Sequence, residues 1–425
     1  MFNRVAIIGG GVAGLAAAKA LSMEPVDMTI DLYERRNGIG GLWNYNKNSN
    51  EPFISGMYKY LETNLQPNLM EYKGVEFVNP NHRSYPTRHD VYDYLLKYYN
   101  TIDSTKVNFL FNHNVISVNK DNLWELKAEF NQSIISKQYD AIVVANGHFS
   151  KPYIPQVPGL STWPNQDIIH SRDFIDCSQY HDLNVLIVGN SHSGIDIATQ
   201  VYTTANKVYI SGNNHKIDQP FITIPIIKKY DFNNNKSIIT ENNQIVSQID
   251  KIIFCTGYEY DYPFLKKYQD IITPFQIFNL YKQIFYIDDV SLCFICLGKG
   301  IIPMPLSEIQ SAIVARVFSG RIKLPNRDVM EQDYQQELHE KGDKIHDFGY
   351  PLDIEYYQQL LKILDANPQL KTLGLVPRYW TENLIMDRSQ TSIIKQKRLE
   401  QVIQHAIKLK LQGKEFSLLD QNVNL

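Results

Sequence analysis

Cysteine is scarce in this chain. Its 425 residues hold only Cys177, Cys255, Cys293 and Cys296, too few for a disulfide framework, so the fold rests on a packed core and suits a reducing compartment. A dominant charge is missing as well. The 42 Lys and Arg against 45 Asp and Glu leave a formal net charge of −3, which gives no overall basic field for nucleic acid. Nor is there an apolar run of membrane-spanning length. The nearest, Val5 to Leu21, is broken by Gly9, Gly10, Gly11, Gly14 and Lys19. It also lacks a cleavage-like flank, so neither a spanning helix nor a signal peptide is read there. The tail LKLQGKEFSLLDQNVNL is polar, and a cytoplasmic chain without an integral membrane segment is expected.

What the chain has instead is length and aromatic mass. It is too long for one ordinary domain, which suggests two or three. Its 27 Tyr and 19 Phe fit large buried surfaces and planar ligands.

The first sixty residues alternate strand, helix and strand in RVAIIGG, VAGLAAAKAL and MTIDLYER, the opening of a parallel βαβ sheet. Gly9, Gly11 and Gly14 stand at G-x-G-x-x-G spacing, with Val12 and Ala13 inside the motif. The tight turn needs the first glycine, a close pyrophosphate the second, and helix-strand packing the third. The helix N-terminus then faces the phosphates. Glu34 lies twenty residues after Gly14 at the end of the next strand, where a carboxylate accepts ribose hydroxyl protons and repels a 2′-phosphate. NAD or FAD fits such a site, and GIGGLWNY, with Gly40, Gly41 and Trp43, favours the flavin.

A polar stretch, a helical pattern in HDVYDYLLKYYN, strands in VNFLFNHNVISV and WELKAEF, and the buried strand DAIVVA lead to Asn146-Gly147. Proline then clusters in KPYIPQVPGL, as at an inter-domain connection. A second βαβ follows in NVLIVGN, SGIDIATQVYTTA and KVYIS, and KIIFCTGYEY brings another buried strand into Thr256-Gly257. Its turn reads G-x-S-x-S-G through Gly189, Ser191, Ser193 and Gly194. Gly189 keeps the tight turn, Ser191 is small and can donate to a phosphate, and Gly194 or Ser193 lets the helix sit close. KVYIS ends without Asp or Glu and is followed by His215 and Lys216, which favours NADPH, with Lys216 as the candidate for its 2′-phosphate. Asn-rich DFNNNK is expected as a surface loop. The final third reads as mixed, with a strand in SLCFICLG and a helix in LSEIQSAIVARVF.

With these motifs in place the chain resembles the flavin-containing monooxygenases, most closely the short fungal branch that oxidises thiols. The likeness runs nearly end to end through GGGVAGL with Glu34, GGLW, LETNLQPNLMEY, YPTRHDVYDYL, VVANGHFSKPYIPQVPGL, HSRDF, VGNSHSGIDIA, IIFCTGYEYDYPFL and PMPLSEIQSAI. It implies an α/β two-dinucleotide-binding flavoprotein, with a discontinuous FAD-binding Rossmann-like domain over 1–178 and 288–425. An NADPH-binding domain would be inserted at 179–287. It further implies oxygenation of a soft nucleophile, a thiol, sulfide or amine, through a C4a-hydroperoxyflavin. By the same likeness Asn64 is the catalytic amide at the flavin. Leu42, Trp43, Thr63, Leu65 and Val115 line FAD, Gln310 approaches it, and Ser193, Gly194, Ile195 and Asp196 contact NADP. The family's F-x-G-x-x-x-H-x-x-x-[F/Y] motif fits at His170 and Phe174, but Pro164 and Gln166 stand where Phe and Gly belong.

Other readings remain at this point. A disulfide reductase of the same architecture needs a cysteine pair at the flavin, and the spacing of Cys293 and Cys296 within one strand puts their sulfurs on opposite faces. A Baeyer–Villiger oxygenase tends to carry Trp where Phe174 stands. A nucleotide-binding sensor without turnover belongs to a different class. His170 is read as a structural histidine. The sequence leaves open a homodimer and peripheral docking on the endoplasmic reticulum.

Overall fold

The computed structural model describes residues 1–47, 53–78, 83–212, 220–366 and 368–419. Two sheets organise them, the first mixed and the second parallel. The first runs Leu280–Tyr281, Phe285–Tyr286, Leu292–Phe294, Ala141–Val144, Arg4–Ile8, Thr29–Tyr33, Val107–Leu110 across its width. Arg4–Ile8 sits in the middle, parallel to both neighbours, and its residues from Val5 onward are buried. That is why it reads as a continuous apolar run and not as an alternating one.

Helix α1 (Val12–Ser22) follows directly and is buried almost all round. Its alanines let helix α4 (Pro303–Phe318) lie against it, so α1 is sandwiched between sheet and helix. Helix α2 (Arg88–Tyr99) starts at a capping box, with Thr87 and Asp90 each bonding the other's backbone or side chain. On the opposite face a meander, Asn114–Lys120, Trp124–Phe130, Ser133–Tyr139, closes a second core around Trp124, whose indole donates to Ser291 Oγ at 2.8 Å.

The second sheet is parallel throughout, in the order Ile222–Ile224, Lys207–Ser211, Asn184–Val188, Lys251–Phe254, Ile168–His170. Helix α3 (His192–Tyr202) follows its central strand. Sheet membership divides the chain by hydrogen bonding. Ile168–His170, ahead of residue 179, pairs in the second sheet, whereas Leu280–Tyr281 and Phe285–Tyr286, ahead of residue 288, pair in the first. The DFNNNK loop is the turn of a hairpin between Ile227–Asp231 and Ser237–Thr240, with Asn235 and Lys236 at φ 54° and 47°.

Two segments cross between the sheets side by side. Lys151–Pro152 pairs antiparallel with Tyr258–Glu259, and Tyr153 N donates to Gly257 O at 2.9 Å. The last third, expected only as mixed, is mostly helical: after α4 come α5 (Arg327–Lys341), α6 (Leu352–Asp365) and α7 (Glu382–Leu411). Helix α7 returns to the second sheet and lies along α3. There Lys410 Nζ donates to Tyr202 O at 2.7 Å and Ala205 O at 2.6 Å, satisfying carbonyls at the end of that helix.

Candidate active site

The first turn is shaped by contact. A Cβ on Gly9 would stand 2.6 Å from Ala145 O, and one on Gly14 only 1.8 Å from Gly9 O, so both positions exclude any side chain. Gly11 is the N-cap of α1 and offers no side-chain cap, and the first turn holds no acidic residue. The amides at the start of α1 are therefore open to an anion, with Val12 and Ala13 in that first turn. Glu34 is buried. Its carboxylate accepts Gly10 N at 2.7 Å and Arg36 N at 2.9 Å. These bonds fix it beside the turn, with acceptor capacity left for ribose hydroxyls.

The GGLW segment folds over this turn. Gly41–Trp43 is a 3-10 turn, and a Cβ on Gly41 would stand 3.0 Å from Gly11 Cα. Arg36 Nη1 donates to Gly41 O at 3.0 Å and holds the turn in place. Leu42 and Trp43 are half-buried beside it. The 61–65 segment runs next to the start of α2, with Thr63 N on Pro86 O at 2.8 Å and Arg88 N on Leu61 O at 3.3 Å. Thr63 Oγ1 donates to Leu65 O at 2.8 Å and tightens the bend, so that Asn64 is exposed while Thr63 and Leu65 are buried. Val115 packs with Ala6, Ile8 and Tyr33 in the core beneath the meander. Gln310 is buried with both amide ends engaged: Oε1 accepts Cys296 N and Nε2 donates to Tyr356 Oη, each at 2.8 Å. The protein interior itself takes up that amide.

The second turn repeats the contact geometry of the first. A Cβ on Gly189 would meet Cys255 O at 2.5 Å, and one on Gly194 would meet Gly189 O at 1.9 Å. Gly194, and not Ser193, is thus the residue that lets the helix close on the strand. Ser191 is the N-cap of α3 without a side-chain cap bond, and Ser191 and Ser193 are both exposed. Ile195 is buried. Asp196 turns inward, where its carboxylate accepts from Tyr58 Oη and, at 3.3 Å, from Gln200 Nε2. Burial pushes it up to about 6. Ser211 ends the next strand with its hydroxyl on Pro225 O at 2.9 Å, so among the described residues that strand closes without a carboxylate. Lys216 lies outside the described residues.

The sequence reading takes Asn146 as a strand-ending residue and His170 as a structural histidine, and it does not single out His148. Asn146 Oδ1, both ring nitrogens of His148 and Nε2 of His170 are buried without a hydrogen-bond partner. All lie just past, or at, the carboxyl ends of sheet strands, where open α/β sheets bind ligands. Burial lowers His148 to about 3 and His170 to about 4, so both rings are neutral at physiological pH. Such orphaned polar atoms need a partner in the working protein, and together with the side-chain-free turns they fit two dinucleotides. The sequence signal was the histidine directly after Asn146-Gly147. His170 also has a structural task, its Nδ1 accepting Arg172 N at 3.1 Å. Pro164 precedes a 3-10 turn, Asn165–Asp167, and Phe174 is fully buried against Tyr58. A separate cavity of about 500 Å³ lies between Leu21–Ile30 and Thr105–Asn108. It opens at the amino ends of the first sheet's strands, away from the turns.

All four cysteines are free. Cys293 Sγ faces Ile142 O at 3.7 Å, and Cys296 Sγ faces Pro303 O at 4.0 Å. The expected strand alternation does not reach Cys296, which lies past the end of Leu292–Phe294 at φ 65°.

Comparison with known proteins agrees with this arrangement. The family model for flavin-binding monooxygenase-like proteins matches residues 2–217 and 223–383. The thiol-specific monooxygenase of Saccharomyces cerevisiae is 32% identical over 96% of both chains. The trimethylamine monooxygenase of Methylocella silvestris is 29% identical over 85% of both. Among solved structures, the S-allyl-L-cysteine S-oxygenase of Allium sativum superposes with a TM-score of 0.81 at 27% identity, covering 96% of this chain and 98% of that one.

Proposed function

The chain belongs to the flavin-binding monooxygenase-like family, and from that premise we propose that it oxygenates small sulfur nucleophiles, thiols foremost. It is an oxidoreductase that uses FAD, NADPH and O2. The preference for sulfur is supported by one observation above the rest: two of its full-length relatives are named for oxygenating thiol or thioether sulfur. An amine-oxygenating relative makes amines the second substrate class. No described helix is long and apolar enough to cross a membrane. We place the protein in the cytoplasm and leave a homodimer as its alternative to a monomer.

When bound, the flavin and nicotinamide supply the redox chemistry: two electrons from NADPH, one oxygen atom of O2 to the sulfur, the other to water. The chain's own residues position and insulate. In this reading Gly9, Gly11 and the open start of α1 receive the FAD pyrophosphate, and Glu34 receives its ribose. Ser191, Ser193 and the start of α3 receive the NADPH phosphates. Leu42, Trp43, Thr63 and Leu65 wall the flavin side. Asn64 presents an amide that can both donate and accept at the reacting end. The neutral rings of His148 and His170 offer a donor or acceptor without adding charge. The reading of a disulfide reductase finds no cysteine pair here, since Cys293 and Cys296 are anchored to separate carbonyls.

The test is rapid mixing of the NADPH-reduced, FAD-loaded protein with O2 in the presence of cysteamine or trimethylamine. Faster return of the oxidised flavin spectrum with the thiol, together with oxidised thiol product, is the expected result. Turnover with the amine alone overturns the sulfur preference.

A further inference from the structure

Arg88 is the first residue of α2 and only 8% exposed. Its Nε is fully enclosed and has no acceptor. Among the described residues its guanidinium has neither a hydrogen bond nor an ion pair, only the ring of Tyr45 at 3.6 Å from its centre. A buried guanidinium ordinarily has a carboxylate, a phosphate or several carbonyls. A ring face replaces only part of the water such a group has lost.

The acids nearby are engaged elsewhere. Asp90 serves the capping box with Thr87. Glu62 bonds Arg83 at 2.8 Å and Arg398 at 2.9 Å. Asp176 faces Lys59 at 3.4 Å. Among the described residues the missing partner is therefore not supplied by the chain.

The position of this unpaired cation is specific. Its own backbone amide is bonded to Leu61 O, and the neighbouring Pro86 O accepts Thr63 N, so Arg88 is tied to the bend that presents Asn64. Tyr45 lies two residues past the end of the Gly41–Trp43 turn, after its cap Asn44. Arg88 thus stands between the two segments that wall the reacting end of the site.

We propose that Arg88 is an oxyanion-binding residue of the active site, taking a carboxylate carried by the thiol substrate. This rests on the sulfur-oxygenating reading above. A phosphate of NADPH offers the same chemistry, and a fork of N–H donors accepts either one bidentately.

The test compares FAD-loaded wild type with Arg88→Met and Arg88→Lys. Two thiols are used: 3-mercaptopropionate, which carries a carboxylate, and 2-mercaptoethanol, which carries none. The dissociation constant of NADP+ is measured alongside by calorimetry. If the substrate supplies the oxyanion, Arg88→Met raises KM for 3-mercaptopropionate on the order of 10- to 100-fold. 2-Mercaptoethanol and NADP+ then stay within about twofold, and Arg88→Lys recovers part of the loss. If NADPH supplies it, NADP+ binding weakens by that factor and both thiols suffer alike. Unchanged values in both arms, with FAD retained, overturn the proposal. Should Arg88→Met lose its flavin, Arg88→Lys carries the test, because it keeps the charge but not the fork. Wild type that oxidises neither thiol refutes the sulfur reading alone, and the NADP+ arm still decides for or against Arg88.

Discussion

Gly194 lies so close to Gly189 that a Cβ on it would stand 1.9 Å from the Gly189 carbonyl oxygen. The fingerprint's two serines surround this contact without making it. Gly194→Ala is expected to force α3 away from its strand and destabilise the protein by about 1–3 kcal/mol. Ser193→Ala, at an exposed position, leaves the melting temperature within about a degree and weakens NADP+ by roughly fivefold to tenfold. Thermal unfolding with and without NADP+ separates the two effects.

Asn64 is exposed on a bend held by Thr63 and Leu65. Asn64→Asp replaces an amide that donates with a carboxylate that only accepts. Reduction of bound flavin by NADPH is expected to persist, while thiol oxidation falls on the order of a hundredfold. Normal thiol oxidation in this variant would exclude Asn64 from the chemistry.

Glu308 is buried in α4 and accepts Lys73 N at 3.1 Å and Arg378 N at 3.1 Å. Burial raises it to about 7, against 4.5 for an ordinary glutamate. The folded value exceeds the unfolded one, so its stabilising contribution is full below about 4.5 and is lost as pH rises through about 7. Melting curves between pH 5 and pH 8 are expected to fall more steeply for wild type than for Glu308→Gln. Parallel curves would rule Glu308 out as the titrating group.

Lys410 closes the far end of α3 through Tyr202 O and Ala205 O. Lys410→Ala is expected to cost roughly 1–2 kcal/mol and to speed amide exchange in the last turns of α3 and α7. Exchange unchanged in both helices would show that the contact contributes nothing in solution.

Local pattern carried much of this far in advance. Both fingerprints, the strands that feed them and the proline-marked connection are legible because each is a run whose neighbours in sequence are also its neighbours in space. Glu34, which bonds Gly10, is legible because one helix and one parallel strand fix its return to the turn. Ser193 and Gly194 could not be ranked from sequence, because the choice depends on a carbonyl five residues back that only the folded turn brings near. Asp196 and Gln310 carry motif positions whose side chains turn inward, and a motif does not say which way a side chain points. The return of α7 to α3 was invisible, since an amphipathic helix announces an apolar face but not the surface that will cover it. Arg88 looked like any arginine in a polar stretch. Its isolation became visible only when the acids around it were seen to be bonded to others.

The paired crossing of Lys151–Pro152 with Tyr258–Glu259 has a kinematic consequence. Two strands that leave one sheet and enter the other side by side, zipped by backbone hydrogen bonds, behave as a strip and not as two independent tethers. A strip bends easily about one line and resists shear and twist. Helix α7, running from the first core onto α3, adds a second tie between the two sheets.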